Sequence, residues 1–387
     1  MMAGDFGGSF CLSSAEGVGY RSRMSWNHRL MGLLSVLGLS ASSFAQEIFW
    51  SETGGFGGPQ LGAVYTSAFD GTGRTAIASG LNRPIGVDLD VERGHIYWAE
   101  DGFGPGTSRI VRANLDGSNP AVLFQESQQG FTNAQMLALD LKNGHVYWTD
   151  YFLGVIRGKL DGTGFAVLGG HPTAVQYTAL DLDLVNGHIY FGDPTQNGVL
   201  YRMNLNGTQA VELARPMAAD GWRFNSISVD AANGHIYYTD AGTHQIKRMD
   251  LDGGNQTMLS SDPGLNPYGI TRRPDGRLFW VGGVGRRLGS SAADGSDPQR
   301  SLVETVSSSG FGIAVMPGSA SALRITGITV SGTTATISWE GGSAPYQLRK
   351  SATLAPGSWE DVGPPTALRQ AIEPAAGQRM FYRVESN

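Results

Sequence analysis

The sequence predicts an all-β chain, a six-bladed β-propeller followed by a small β-sandwich. Three observations predict it. A short aromatic strand motif recurs six times at a nearly even period. A turn dipeptide keeps the same beat. Glycine is abundant, at 56 of 387 residues, which favours many tight turns over helix.

The motif reads Gly94-His95-Ile96-Tyr97-Trp98, Gly144-His145-Val146-Tyr147-Trp148, Gly187-His188-Ile189-Tyr190-Phe191 and Gly234-His235-Ile236-Tyr237-Tyr238. Looser copies are Ile48-Phe49-Trp50 and Gly276-Arg277-Leu278-Phe279-Trp280. The anchors Phe49, Tyr97, Tyr147, Tyr190, Tyr237 and Phe279 are spaced by 48, 50, 43, 47 and 42 residues. Repeats of that length, rich in β-formers, are the mark of propeller blades.

Each anchor is followed, 14 to 21 residues on, by Asp70-Gly71, Asp116-Gly117, Asp161-Gly162, Asn206-Gly207, Asp252-Gly253 or Asp294-Gly295. Such pairs favour a two-residue type I′ hairpin turn, because both central residues need positive φ. Before the anchors lie short strands of small and aliphatic residues, such as Ile85–Asp90, Met136–Asp140 and Ser226–Asp230. They suit the crowded innermost position and join the aromatic strand through Asn-Gly turns. Each blade is therefore inner strand, aromatic strand, third strand and outer strand. The first repeat lacks an inner strand, and Phe311–Val315 is expected to supply it. That pairing closes the ring and protects its edges.

The remaining chain divides by composition. Residues 1–45 are expected to be an export signal with upstream sequence. Arg21, Arg23 and Arg29 precede the apolar run Leu30–Leu39, and Ser43-Phe44-Ala45 gives a small-residue cleavage site. Either Met1 or Met24 can be the start. The mature chain is expected to be secreted or extracytoplasmic, with no transmembrane segment. Residues 46–317 form the propeller and 318–387 the sandwich. Alternating strands at 323–328, 333–339, 346–349 and 381–384 indicate a short fibronectin-type or immunoglobulin-like module, a spacer or attachment device. The single cysteine, Cys11, lies within the expected leader, so neither a disulfide framework nor a Cys-ligated zinc fits. A net charge of −6 gives a nucleic-acid-binding role no support.

Tyr147-Trp148-Thr149-Asp150 resembles the signature of the YWTD propellers of the low-density lipoprotein receptor family. Tyr237-Tyr238-Thr239-Asp240, Tyr97-Trp98-Ala99-Glu100 and Tyr190-Phe191-Gly192-Asp193 are similar to it, and Leu-Asp-Gly at 115–117, 160–162 and 251–253 is similar to its second landmark. The resemblance spans residues 46–317. It implies a six-bladed propeller that binds other proteins and is not an enzyme. It also implies that Asp150, Asp193 and Asp240 bond neighbouring backbone and tie blades together. The sixth copy, Phe279-Trp280-Val281-Gly282, lacks the acid, and the flanking cysteine-rich modules of that family are absent.

The strand order puts the loops after the aromatic strands and the loops between blades on one face. Variable loops on a rigid scaffold are where binding usually sits. Phe103, Phe131, Tyr151, Phe152, Trp222, Arg223, Phe224, Tyr268 and Arg286 are the candidate binding residues there, since aromatics and arginine anchor interfaces. The expected partner is an extracellular protein or polysaccharide, with no cofactor and no metal. His95, His145, His188 and His235 repeat by blade, so the ring separates them and they cannot converge on one ion. The alternative is a metal-dependent lactonase-type or other hydrolytic propeller. Its ligands would sit where inner strands begin, at Arg83-Pro84, Asn133-Ala134-Gln135, Gln176-Tyr177, Asn225-Ser226, Pro267-Tyr268 and Gly310-Phe311. None of these starts offers the carboxylate a hard cation wants.

Overall fold

The computed structural model describes residues 10–11, 48–54, 61–102, 106–195, 198–215, 224–240, 242–261, 266–282, 287–304, 310–317, 324–331, 334–340, 346–352, 358–363, 370–374 and 381–386. Most of the expected export signal lies outside them. Two compact units form. One is Ala45–Gly318, and the other joins Met1–Phe44 to Ser319–Asn387.

A two-residue strand, β1 (Phe10–Cys11), belongs to the second unit. The first unit begins with β2 (Ile48–Glu52), β3 (Gly62–Ser67) and β4 (Thr75–Leu81). The second blade is β5 (Pro84–Asp90), β6 (His95–Glu100), β7 (Arg109–Asn114) and β8 (Ala121–Gln125), followed by one helical turn, α1 (Glu126–Gln129). The third is β9 (Ala134–Asp140), β10 (His145–Asp150), β11 (Gly154–Lys159) and β12 (Ala166–Gly169). The fourth is β13 (Leu180–Asp183), β14 (His188–Asp193), β15 (Val199–Asn204) and β16 (Val211–Ala214). The fifth is β17 (Phe224–Asp230), β18 (His235–Asp240), β19 (Gln245–Asp250) and β20 (Thr257–Ser261). The sixth is β21 (Pro267–Arg272), β22 (Leu278–Gly282), β23 (Arg287–Ser291) and β24 (Gln299–Glu304).

The last propeller strand, β25 (Gly310–Val315), returns to the first blade, whose order is β25-β2-β3-β4. It pairs antiparallel with β2, Trp50 opposite Ile313 and Ile48 opposite Val315. The ring thus closes as the sequence predicts. The side chain of Ser51 fastens it. Its Oγ donates to the carbonyl of Ile85 at 2.5 Å and accepts from the amide of Gly312 at 2.9 Å. In later blades Thr149 and Thr239 reach the next inner strand the same way, donating to the carbonyls of Thr178 and Tyr268 at 3.0 Å.

Large aromatics fill the spaces between blades. Trp50, Trp98, Trp148, Trp280, Tyr97, Tyr147, Tyr190 and Tyr237 are all essentially buried. The acid that ends five of the six aromatic strands is buried too and caps the loops around it. Asp150 accepts from the amides of Thr132, Asn133, Phe152 and Leu153 at 2.7 to 3.0 Å. Asp193 accepts from Val175 and Thr195, and Asp240 from Gly242, Thr243 and Lys247. In the first two blades a glutamate takes this place. Its longer reach also captures the indole N–H of its own strand, Trp50 to Glu52 at 2.9 Å and Trp98 to Glu100 at 3.0 Å.

The turns correct the type I′ expectation. Only the glycine of each Asp-Gly or Asn-Gly pair has positive φ. The Gly117 amide donates to Asn114 and the Asn114 amide to Ser118, which is a type I turn followed by a left-handed glycine. The side chain before the glycine explains the choice. Asp116 Oδ1 accepts from the amide and hydroxyl of Ser118, an arrangement repeated by Asp70 with Thr72, Asp161 with Thr163 and Asn206 with Thr208.

The second unit has two small sheets. One is β26 (Arg324–Ser331), β27 (Thr334–Glu340) and β30 (Gln370–Pro374). The other runs β1, β31 (Phe381–Ser386), β28 (Tyr346–Ser351) and β29 (Glu360–Asp361). Ile325, Ile337 and Trp339 of the first share one core with Leu348 and Tyr382 of the second.

Candidate functional site

The inner strands β5, β9, β13, β17, β21 and β25 surround the central channel, and their first residues converge at one end of it. There they open into a cavity of about 960 Å³. Arg83, Asn133, Gln135, Gln176, Asn225, Asn266, Tyr268 and Phe311 line it from the strand starts. Asp101, Tyr151 and Thr195 line it from the loops after the aromatic strands. This is the variable-loop face that the strand order predicts. The volume lies in the range of about 300–1,000 Å³ usual for small-molecule sites.

Asp101 is the one acid among these lining residues. Inspection of the strand starts alone misses it, because it enters from the exit of β6, directly after the buried Glu100. It is 4% exposed, and its carboxylate pairs with the Arg83 guanidinium at 2.8 Å. Burial pushes its carboxyl up to about 6, against the pull of Arg83. Asp150 adds to the rise and the Gln135 amide opposes it. Its Oδ1 makes no hydrogen bond of good geometry, and neither do Asn225 Nδ2 and Asn266 Oδ1. Arg83 holds φ at 51°, a left-handed backbone that a non-glycine residue rarely adopts without a local reason. That reason is visible. Its carbonyl accepts from the Asp101 amide at 3.1 Å, so backbone and side chain both bind Asp101.

The aromatic wall is built by two tyrosines. Tyr268 lies 4.6 Å from the Phe311 ring. Tyr151 donates its hydroxyl to Gln176 Oε1 and stands edge-on to Phe152 at 5.1 Å. Of the nine predicted binding residues, Tyr151 and Tyr268 thus line the mouth. Phe152 lies outside the lining and is 61% exposed. Two predictions are corrected. Phe131 is fully buried, packing against Trp148 and Phe165, and Phe224 is buried against Tyr238. Each sits at an inner-strand entry, where the blade core takes an aromatic side chain before the loop can present it. Phe103, Trp222, Arg223 and Arg286 lie outside the described residues.

A divalent metal does not fit this mouth well. Among the described lining residues Asp101 supplies the one carboxylate, and the guanidinium of Arg83 already occupies the place of its counter-cation. The Asn133 amide group turns to the Thr132 carbonyl at 3.1 Å. Among the described residues no group of three or more His, Cys, Asp or Glu side chains could hold a metal ion. The four repeated histidines stand apart, each edge-on to the tyrosine two residues along its own strand.

Below the mouth the channel narrows to a space of about 70 Å³. Asp88 and Asp181 line it. Each binds its neighbour blade, Asp88 accepting from the Leu139 amide at 2.9 Å and Asp181 from the Val229 amide at 2.6 Å. Burial raises their carboxyls to about 6 and about 7. An acid whose pKa is raised on folding binds its proton more tightly folded than unfolded. Stability should therefore fall as pH rises from about 4, near the unfolded value, to about 7, and level off above. Thermal melts across pH 4–8 measure this. Asp181→Asn should flatten the fall between pH 5 and 7, and an unchanged slope would remove Asp181 as its source.

No family model matches the chain. Solved structures resemble it at low sequence identity. The nidogen/laminin complex superposes with a TM-score of 0.59 at 20% identity, covering 70% of this chain and 99% of that one. TolB from Acinetobacter baumannii superposes at 0.54 with 11% identity, covering 70% and 67%. A gluconolactonase from Xanthomonas campestris reaches 0.49 at 15% identity, covering 67% and 84%. The chain has a β-propeller fold, and likeness at this level of identity carries nothing further. Among the described residues no helix is long and apolar enough to cross a membrane.

Proposed function

We propose that this chain is an exported, non-enzymatic binding protein whose variable-loop face takes an extracellular protein or polysaccharide partner at the channel mouth. The mouth itself carries the reading. It is a built cavity with unsatisfied amide atoms, two tyrosines and a carboxylate already paired with arginine. That set recognises a partner and lacks the charge that activates water. The likeness of Tyr147–Asp150 to YWTD propellers supports the same class. So does the nidogen of the laminin complex, a propeller neighbour with a protein partner. Residues 1–45 act as the export segment in this proposal, 46–317 as the binding ring, and 318–387 as a fibronectin-like spacer.

Asp101 is the observation that favours the rival reading, a metal-dependent lactonase, because it puts one carboxylate beside Asn133 and Asn225. An assay of the full chain on aldonolactones with millimolar calcium separates the two. The binding reading expects hydrolysis at the uncatalysed rate. Turnover that disappears in Asp101→Asn would replace it with the enzyme.

A further inference from the structure

We infer that the channel mouth binds a neutral, polyhydroxylated ligand, a saccharide unit of an uncharged glycan. This deepens the reading of the mouth as a binding site and rests on it.

The charge of the site is the first argument. Among the described residues that line the cavity, the one acid and the one base, Asp101 and Arg83, are paired with each other at 2.8 Å. A phosphate, a carboxylated ligand or a free cation would meet charges that already compensate each other. A neutral ligand keeps that pair.

The second argument is the kind of polar group present. Asn133, Gln135, Gln176, Asn225 and Asn266 put five carboxamides around one cavity. A carboxamide offers an acceptor and two donors in one plane. A sugar offers vicinal hydroxyls, each both donor and acceptor, so the two match without any net charge. Two side-chain atoms at the mouth make no hydrogen bond, a donor on Asn225 and an acceptor on Asn266.

The third argument is the wall. Sugar rings have an apolar C–H face beside their hydroxyl rim. Tyr268, backed by Phe311 at 4.6 Å, presents an amphipathic aromatic surface in the same cavity as the amides. An inserted protein side chain could use the amides, but it would leave most of a cavity of about 960 Å³ unfilled. A chain of sugar rings can occupy more of it.

The test screens the full-length protein on an array of neutral and acidic glycans and retitrates the strongest hit by calorimetry. Neutral glycans should bind, and the affinity should hold within about twofold between 0.1 and 1 M NaCl, since no net charge is exchanged. Tyr268→Ala and Asp101→Asn should each weaken binding at least tenfold. Gln135→Ala serves as a milder third variant should Asp101→Asn disturb folding, and Val185→Ala, exposed and outside the lining, should bind as wild type. The inference is overturned if no glycan binds, if only acidic glycans bind and salt abolishes it, or if folded Tyr268→Ala and Gln135→Ala both bind as wild type. Glycan failure with no lactone turnover sinks the saccharide alone and turns attention to a protein partner. Glycan failure with calcium-dependent turnover sinks the binding reading as well.

Discussion

Gly312→Ala should destabilise the propeller by about 3 kcal/mol or more, lowering its melting temperature by about 6–12 °C. Gly312 lies on the strand that closes the ring. A Cβ there would stand 2.1 Å from the Ile85 carbonyl oxygen and 2.8 Å from the Val87 amide nitrogen. Both are backbone atoms of the neighbouring inner strand and cannot rotate away. The strands would have to separate, and that loosens the Ser51 bridge between Gly312 and Ile85. Gly86 and Gly269 meet the same constraint against Gln135–Leu137 and Phe311. Gly327→Ala is the control, because nothing lies within 4 Å of its Cβ position. Calorimetric melting of both variants measures the difference. Equal midpoints would mean that closure tolerates more space than the inner strands show.

Asp150→Ala should cost a similar amount, roughly 3–5 kcal/mol. The side chain is fully buried and holds four backbone amides, two before β9 and two after β10. Alanine would strand all four. Some would recover water at the loop surface, which keeps the loss below the sum of four buried bonds. Asp150→Asn retains one acceptor oxygen and should fall between. Because Asn133 and Tyr151 flank these bonds, both variants should also disturb the mouth. Urea unfolding gives the stability change. An alanine variant within about 0.5 kcal/mol of wild type would deny the carboxylate its anchoring role.

Much of this architecture is legible in the sequence because it repeats. Six aromatic anchors, six glycine turns and a displaced inner strand define the blades and the closure without any tertiary information. The anchoring role of Asp150, Asp193 and Asp240, implied by the resemblance, matches their hydrogen bonds. Turn type was less legible. Asp-Gly admits both a two-residue hairpin and the longer type I turn, and the choice falls to a hydrogen bond from the residue that follows the glycine, Ser or Thr in five repeats and Gly254 in the other.

The site was half legible. The strand starts that meet at the mouth are readable, since the blade order puts them on one face. Asp101 was not, because its approach depends on Arg83 taking a left-handed φ that no sequence signal announces. Phe131 and Phe224 misled for a related reason. A loop aromatic one or two residues from a strand start has the same composition whether it points out to a partner or in to the blade. Only packing against Trp148 or Tyr238 distinguishes the two.

The measurement that tests the central claim most directly is a calorimetric titration of the full chain with calcium, paired with thermal melting. A mouth built for recognition, with Asp101 held by Arg83, should give no saturable heat and no shift in melting temperature. Tight, stoichiometric binding that Asp101→Asn abolishes would contradict the account, because the carboxylate would then serve a metal and the mouth would be a catalytic centre.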